Sequence, residues 1–312
     1  MKPEYFAEWL RRQGQRVVQT ESSYWVEAGP RIFQAFPYHW LISPSQDELD
    51  NLFHTHSAIG LRYSTAWDQP EGAASYHVVF SGQNYSISDL PKKTRPDVRK
   101  AMERASVEPI SFERLANEGW LLREETLQRQ GRQAAESREW WQTLCESADG
   151  LPGFEAWATI VDGQLAATLI AFTYEDCCNA LYQQSRTEYL PLSVNNALTF
   201  GFTQEILKRP GNLWIFYGLH SLDAPSSVDE FKFHMRYAAK PVRQRVVFNP
   251  RIRPLFNSVS YAVLRASLRL RPGNPVLSKA EGMMRFYMEG KRSISDQTLP
   301  KCIATQKEAA EF

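Results

Sequence analysis

Lys232 stands between two phenylalanines, in the run Ser227-Val228-Asp229-Glu230-Phe231-Lys232-Phe233-His234-Met235. Apolar neighbours on both sides would cover part of the lysine stem and hold its ammonium at a partly desolvated place, where charge acts more strongly than in water. Such a group is a candidate for the chemistry of a site. The plain alternative is a solvated helix lysine, the commoner fate of that residue. His220 and His234 lie close by in sequence, and either imidazole could accept a proton near neutral pH, although an isolated histidine is more often structural. Asp229 and Glu230 could also act as bases, but carboxylates near a helix start more often cap it or oppose its dipole.

Two further clusters would serve anionic ligands. Arg186 precedes a helix predicted to begin near Ser193. The first amides of that helix, at Ser193, Val194, Asn195 and Asn196, would present N–H groups and the positive end of the dipole to a phosphate. The alternative is an ordinary strand-to-helix connection with Ser193 as cap. Upstream, Lys92, Lys93, Arg95, Arg99, Lys100 and Arg104 load one helix with positive charge. Lys93, Arg95 and Arg99 are the residues it offers to an anionic acceptor such as a nucleotide-sugar or cell-wall precursor, against the alternative of a solvated face. Phe231 would add apolar contact to the substrate beside Lys232.

The elements that must position these groups follow from periodicity and turn residues. Residues 1–14 read as a helix with Phe6, Trp9 and Leu10 on one face, and strands follow at 16–20, 23–27 and 32–36. Ser45 and Glu48 form a capping box for a helix that buries Leu49, Leu52 and Phe53. Strands at 59–63 and 76–80 complete a first α/β unit. The basic helix of residues 92–104 has Thr94 as N-cap and an apolar edge of Val98, Ala101 and Met102. Beyond it come a strand at 107–112, helices at 113–132 and 136–147, and a strand at 154–161. Asp162-Gly163 is a two-residue hairpin turn to a strand at 165–174. A strand at 179–184, a helix at 193–208, a strand at 213–217, a helix at 227–236 and a strand at 242–248 close the series.

That order, with its three-strand meander, resembles the GNAT acyltransferase superfamily over residues 107–248. Two runs resemble its FemAB-like branch, in which two GNAT-like halves share one chain. Leu90-Pro91-Lys92-Lys93-Thr94-Arg95-Pro96-Asp97-Val98-Arg99-Lys100-Ala101 is similar to the basic helix that joins the halves there. Phe231-Lys232 is similar to the Phe-Lys pair on the late helix, although the run here ends Arg236-Tyr237-Ala238 and lacks the usual Phe-Gly. The resemblance implies an α/β (α+β) mixed sheet. Its segments would be a truncated N-terminal half at 1–90, the linking helix at 91–106, the acyltransferase domain at 107–250 and a basic helical extension at 251–312. It implies acyl-CoA, acetyl-CoA foremost, as co-substrate beside Ser193, and places Lys232 near the reacting carbonyl. The family's diphosphate loop reads Arg/Gln-x-x-Gly-x-Gly/Ala, whereas Arg186 to Asn196 contains no glycine. That departure leaves room for another donor, such as aminoacyl-tRNA.

Bulk properties narrow the classes. The chain has 312 residues, 43% hydrophobic and 23% charged, a globular balance with length for two units. A net charge of +1 gives no global field for nucleic acid, and no DNA partner is expected. Cys145, Cys177, Cys178 and Cys302 have no metal-site spacing and read as thiols of a reducing compartment. With neither an export signal nor a membrane span in the sequence, a cytoplasmic location is expected, with peripheral contact at the membrane inner face as an option. From Arg243 to Arg292, eleven basic residues face two acidic ones. Leu255, Phe256, Val259, Ala262, Val263, Ala266 and Leu270 recur there at helical spacing. This basic amphipathic helix is expected to pack on the catalytic domain or a second subunit, with an anionic membrane surface or tRNA as the competing partners.

The expected function is an N-acyltransferase moving an acyl group from acyl-CoA or a similar activated donor to an amine of a sugar, peptide or cell-envelope precursor. A FemAB-type aminoacyl-tRNA-dependent transferase and a non-catalytic GNAT-like binding module are the alternatives. No metal is expected.

Overall fold

The computed structural model describes residues 2–131, 136–211, 213–222, 226–271 and 274–310. From the N-terminus these form α1 (Glu4–Arg12), β1 (Val17–Gln19), β2 (Tyr24–Gly29), β3 (Ile32–Phe36), α2 (Gln46–His54), β4 (Gly60–Thr65) and β5 (Ala73–Phe80). Next come α3 (Arg95–Arg104), β6 (Ser106–Ile110), α4 (Phe112–Glu118), α5 (Trp120–Arg129), α6 (Arg138–Ala148), β7 (Phe154–Val161), β8 (Gln164–Tyr174) and β9 (Cys177–Ser185). The chain continues through α7 (Val194–Leu207), β10 (Trp214–Leu219), α8 (Ser226–His234), β11 (Ala238–Phe248), α9 (Ser258–Leu270), α10 (Pro275–Glu289) and α11 (Lys301–Ala310).

These elements sort into two compact units that interleave along the chain, where contiguous segments were expected. One comprises Met1–Gly14, Val78–Gly218 and Pro225–Ala238; the other comprises Gln15–His77, Leu219–Ala224 and Ala239–Phe312. The exchange has a packing cause at the N-terminus. Phe6 and Trp9 of α1 lie against Phe154, at ring separations of 6.1 and 5.0 Å, and the Trp9 indole donates to the Leu144 carbonyl at 3.0 Å. An amphipathic helix with three large apolar side chains on one face goes where that face is covered, whatever its place in sequence.

In the first unit the strand order is β10-β9-β8-β7-β6, with β6 to β9 antiparallel and β9–β10 parallel. The β7–β8 turn places Asp162 and Gly163 at φ 49° and 79°, as a two-residue hairpin of the predicted kind requires. Helix α7 is buried on all sides, and a Cβ added at Gly201 would lie 2.9 Å from Val107 of β6, so only glycine lets helix and strand approach this closely. Two expectations shift here. Phe112 begins α4, capped by Ser111, and does not end a strand. The predicted long helix breaks into α4 and α5 at Gly119, where a Cβ would collide with the Leu115 carbonyl at 2.4 Å; its expected end, Arg132, lies outside the described residues.

In the second unit the order is β1-β2-β3-β4-β11, with β3–β4 parallel and the other pairs antiparallel. Ser45 and Glu48 form the expected capping box, and Leu49, Leu52 and Phe53 are buried. The expected C-terminal extension divides in two. Met283, Phe286 and Tyr287 of α10 join the core with Ala73, Val246 and Phe248, while no residue of α9 is buried. Packing of the α9 apolar face on the rest of this chain is thus corrected: Val259, Val263 and Leu270 are 71%, 62% and 84% exposed.

His77 in this unit is buried and shares a 2.8 Å hydrogen bond with the Ser64 hydroxyl. Burial first, then the nearby His39, Lys240 and Arg62, pushes its pKa down from 6.5 to about 3. The unfolded chain therefore binds a proton that the folded chain refuses between those values. Stability contributed above pH 6.5 should be lost as pH falls toward 3, with a slope of at most about 1.4 kcal/mol per pH unit. His77→Gln, which retains an amide for Ser64, should flatten this slope when thermal midpoints are followed down in pH; an unaltered slope would assign the acid sensitivity elsewhere.

Candidate active site

Strands β9 and β10 pair in parallel through Trp214–Cys177, Ile215–Cys178 and Phe216–Asn179, and the ladder ends there. Beyond it, Ala180, Leu181, Gln183, Gln184 and Ser185 on one strand and Tyr217 on the other line a cavity of about 340 Å³ within the first unit. That volume lies in the range of small-molecule sites, about 300–1,000 Å³. A bulge helps to open it: Ile170 pairs with Tyr182 and Ala171 with Ala180, so Leu181 has no partner on β8 and lines the cavity instead. At the end of β10, Gly218 has φ 139°, a conformation that glycine adopts readily.

Where the strands part, α5 takes over the backbone groups of β9. The Ser185 N–H donates to the Thr126 hydroxyl at 3.1 Å, and the Ser185 carbonyl accepts from Thr126 at 3.3 Å and from Arg129 at 2.8 Å. Arg129 also donates to the Thr126 and Ser185 hydroxyls, at 2.9 and 3.0 Å. Burial lowers the pKa of this guanidinium, with Glu125 acting the other way, yet arginine stays charged. A second chain of bonds crosses the gap. Asn195 donates to the Ser185 hydroxyl at 3.0 Å and accepts from Gln183 at 3.0 Å, and the Gln183 oxygen accepts from the Tyr217 hydroxyl.

Lys232 and Phe231 complete the wall from α8. The Lys232 ammonium donates to Asp229 at 2.9 Å and lies 5.2 Å from the centroid of the Tyr217 ring, with 12% of its side chain exposed. The side chain is part-buried on the cavity wall. Burial raises the Tyr217 pKa, so its hydroxyl stays protonated and remains a donor.

Of the residues singled out in sequence, Lys232, Phe231 and Asn195 meet in this cavity, and the others are used differently. Arg186 pairs with Glu188 at 2.5 Å and lies over the Tyr189 ring at 5.7 Å. Ser193 adopts φ 55° and makes no side-chain cap, a correction to its expected role. Its N–H bonds the Leu190 carbonyl, and its carbonyl takes the Asn196 N–H, both at 2.9 Å. Val194 is buried and its carbonyl accepts from Thr159. A 3-10 turn over Thr187–Leu192 thus satisfies much of the expected phosphate cradle internally.

Arg95 donates to the Leu90 and Ser88 carbonyls, at 2.8 and 2.7 Å, and so fastens the chain entering its own helix. Lys93 and Arg99 are exposed, Thr94 makes no side-chain cap, and Met102 sits 36% exposed. None of the three basic residues lines the cavity. His220 belongs to the second unit, stacked 4.5 Å from Tyr76 and 3.3 Å from the Ser75 hydroxyl, and His234 is exposed at the end of α8. Neither histidine lines the cavity. Arg129, Thr126, Gln183 and Ser185 were missed. Their one signal was the polar run Gln183-Gln184-Ser185 closing a strand that is otherwise apolar. Among the described residues no cluster of metal-ligating side chains occurs, and no helix is long and apolar enough to cross a membrane.

No family model matches the chain, and no curated protein matches it in sequence. Solved structures do match. FemX superposes with a TM-score of 0.54 at 10% identity, over 81% of this chain and 92% of FemX. L-PGS from Bacillus licheniformis superposes at 0.50 and 13% identity, over 88% and 98%. A tandem GNAT protein from the clavulanic acid biosynthesis pathway matches at 0.45 and 10%, over 74% and 81%. The chain shares the GNAT-like fold of FemX and L-PGS.

The double use of Thr126 can be tested. Thr126→Val keeps the shape but leaves the Ser185 N–H unpartnered, at an expected cost of roughly 1–3 kcal/mol in denaturant unfolding. A change below about 0.5 kcal/mol would mean that the strand end finds another acceptor.

Proposed function

We propose that the protein transfers an activated acyl group to an amine, with the reacting carbonyl held beside Lys232. The observation that carries this reading is the part-buried ammonium inside a slot formed by two parted strands, fixed by Asp229 and the Tyr217 ring. In the reaction the amine nitrogen bonds to the carbonyl carbon and the carbonyl π pair moves to oxygen. Lys232, already oriented, lies where it can donate to that oxygen without reorganisation. When the tetrahedral species collapses, the bond to the leaving group breaks and the amine proton departs with it or through solvent. His220 and His234, which do not line the cavity, have no part in this scheme. Arg129 adds a second positive charge, which suits a donor or acceptor bearing anionic groups near Ser185.

The donor we infer from the fold is acyl-CoA, acetyl-CoA foremost, and the acceptor an amine of a sugar, peptide or cell-envelope precursor. One observation favours a second donor class, an aminoacyl ester on tRNA. The Ser193 and Asn196 amides are already bonded and Arg186 is paired with Glu188, so fewer donors face a diphosphate. The four cysteines are free thiols, which fits work in the cytoplasm.

Acetyl-CoA at about 100 times its Kd should stabilise the protein by roughly 2.7 kcal/mol, read as a thermal shift. No shift at millimolar acetyl-CoA, with salt-sensitive binding of aminoacyl-tRNA, would move the reading to the second donor. With the active donor identified, Lys232→Met keeps the stem packing and removes the charge. Its kcat should fall on the order of 100-fold with KM little changed. Unchanged turnover in a folded Lys232→Met variant would end the proposed role and leave a binding module.

A further inference from the structure

Helix α9 presents its apolar side to solvent. Val259, Val263 and Leu270 recur at spacings of four and seven residues, so they lie along one stripe, and Leu255 is exposed in the 3-10 turn that precedes the helix. These four side chains are between 62% and 84% exposed, and Val276 at the start of α10 is 73% exposed. Ala262 and Ala266, also exposed, fill the stripe between them. The helix is nonetheless firmly built. Asn257 caps it through the Val259 and Ser260 amides at 2.9 and 3.1 Å, and Tyr261 on the opposite side donates to Glu281 of α10 at 2.7 Å. Tyr261 shares its side of the helix with the half-buried Leu264 and Leu268, and the more exposed stripe is what remains outward.

Charge decides what such a face is for. Between residues 250 and 280 there is no Asp or Glu, while Arg251, Arg253, Arg265, Arg269, Arg271 and Lys279 all are exposed. We infer that α9 is a docking element for an anionic phospholipid surface, lying in its plane with the valines and leucines among the acyl chains and the arginines at the headgroups. Each of the other occupants satisfies only half of the surface. Nucleic acid would pair with the arginines and leave Val259, Val263 and Leu270 in water. A second copy docked through the same face would bring like charges together, because a twofold interface sets a patch against itself. A lipid surface rewards both features: apolar side chains for the acyl region, and Arg265 and Arg269 on the helix with Arg271 at its end for anionic headgroups. The inference uses residues of the second unit only and does not rest on the transferase reading.

Flotation of the full chain with vesicles tests it. With vesicles of phosphatidylcholine carrying about 30% phosphatidylglycerol, the bound fraction should exceed that on pure phosphatidylcholine by at least about tenfold and drop at roughly 0.5 M salt. Val259→Ser, Val263→Ser and Leu270→Ser combined should cut binding to the anionic vesicles by about tenfold or more. The melting temperature should not move, because these side chains touch no core. Arg265→Gln with Arg269→Gln and Arg271→Gln should remove the preference for anionic lipid. Equal binding to both vesicle types, or anionic binding untouched by the serine variant, would overturn the inference. So would a dimer in light scattering that the serine variant dissociates, or tRNA binding that the serine variant weakens.

Discussion

Parallel strands in a sheet are held by evenly spaced backbone hydrogen bonds, and the three rungs from Trp214–Cys177 to Phe216–Asn179 are all that β9 and β10 share. Every backbone group beyond the last rung needs a substitute partner or water, since an unmade buried bond costs about 1–3 kcal/mol. The bulge at Leu181 turns β9 away, and Gly218 lets the other strand leave. The space created is kept open because both walls are supplied from elsewhere. Thr126 and Arg129 of α5 take the β9 backbone at Ser185. The Gln183–Tyr217 bond spans the gap with side chains in place of main chain. Architecture and pocket thus share one cause.

That cause also sets the electrostatics. Tyr217 supplies an aromatic face to the Lys232 ammonium, and Asp229 supplies a carboxylate one helical turn away. The two partners fix the ammonium in a part-buried place on the cavity wall. Arg129 is held mainly by neutral carbonyl and hydroxyl oxygens, with the Glu125 carboxylate 3.9 Å away, whereas Lys232 bonds its carboxylate at 2.9 Å.

The order of elements was legible because its signals are local: the apolar runs of β7 and β8, the Asp162-Gly163 turn, and the box of Ser45 and Glu48. Lys232 was legible for a similar reason, since Phe231 and Phe233 mark its stem as buried. What periodicity does not carry is the partner across space. Arg129 and Thr126 look like ordinary helix residues until β9 is laid beside α5. Arg95 and Arg186 look like ligand groups until the Ser88 and Leu90 carbonyls and Glu188 are found at hydrogen-bond distance. The same blindness applies to α9, where an apolar stripe is read as a packing face although nothing in the described structure covers it. The interleaving of the two units is likewise invisible, because a strand's sequence specifies which face is apolar and not which neighbours it joins.

The connection from Arg186 to Asn196 shows how far a small departure in sequence can reach. A loop that cradles phosphate leaves its N–H groups unpaired inside and needs glycine where the backbone turns toward the ligand. Here Ser193 occupies the left-handed region at φ 55°, a conformation that costs a residue with a side chain on the order of 1 kcal/mol. The chain recovers that cost by folding the loop onto itself, with Ser193 both donating to Leu190 and accepting from Asn196. Asn196 is thereby turned from a donor to the ligand into a brace for the helix start. Asn195, one residue earlier, keeps its side chain in the cavity through Gln183 and Ser185. In the proposed reaction, side chains lining the cavity, Arg129, Asn195 and Lys232, would recognise the donor in place of the Ser193 and Asn196 amides, which are already bonded.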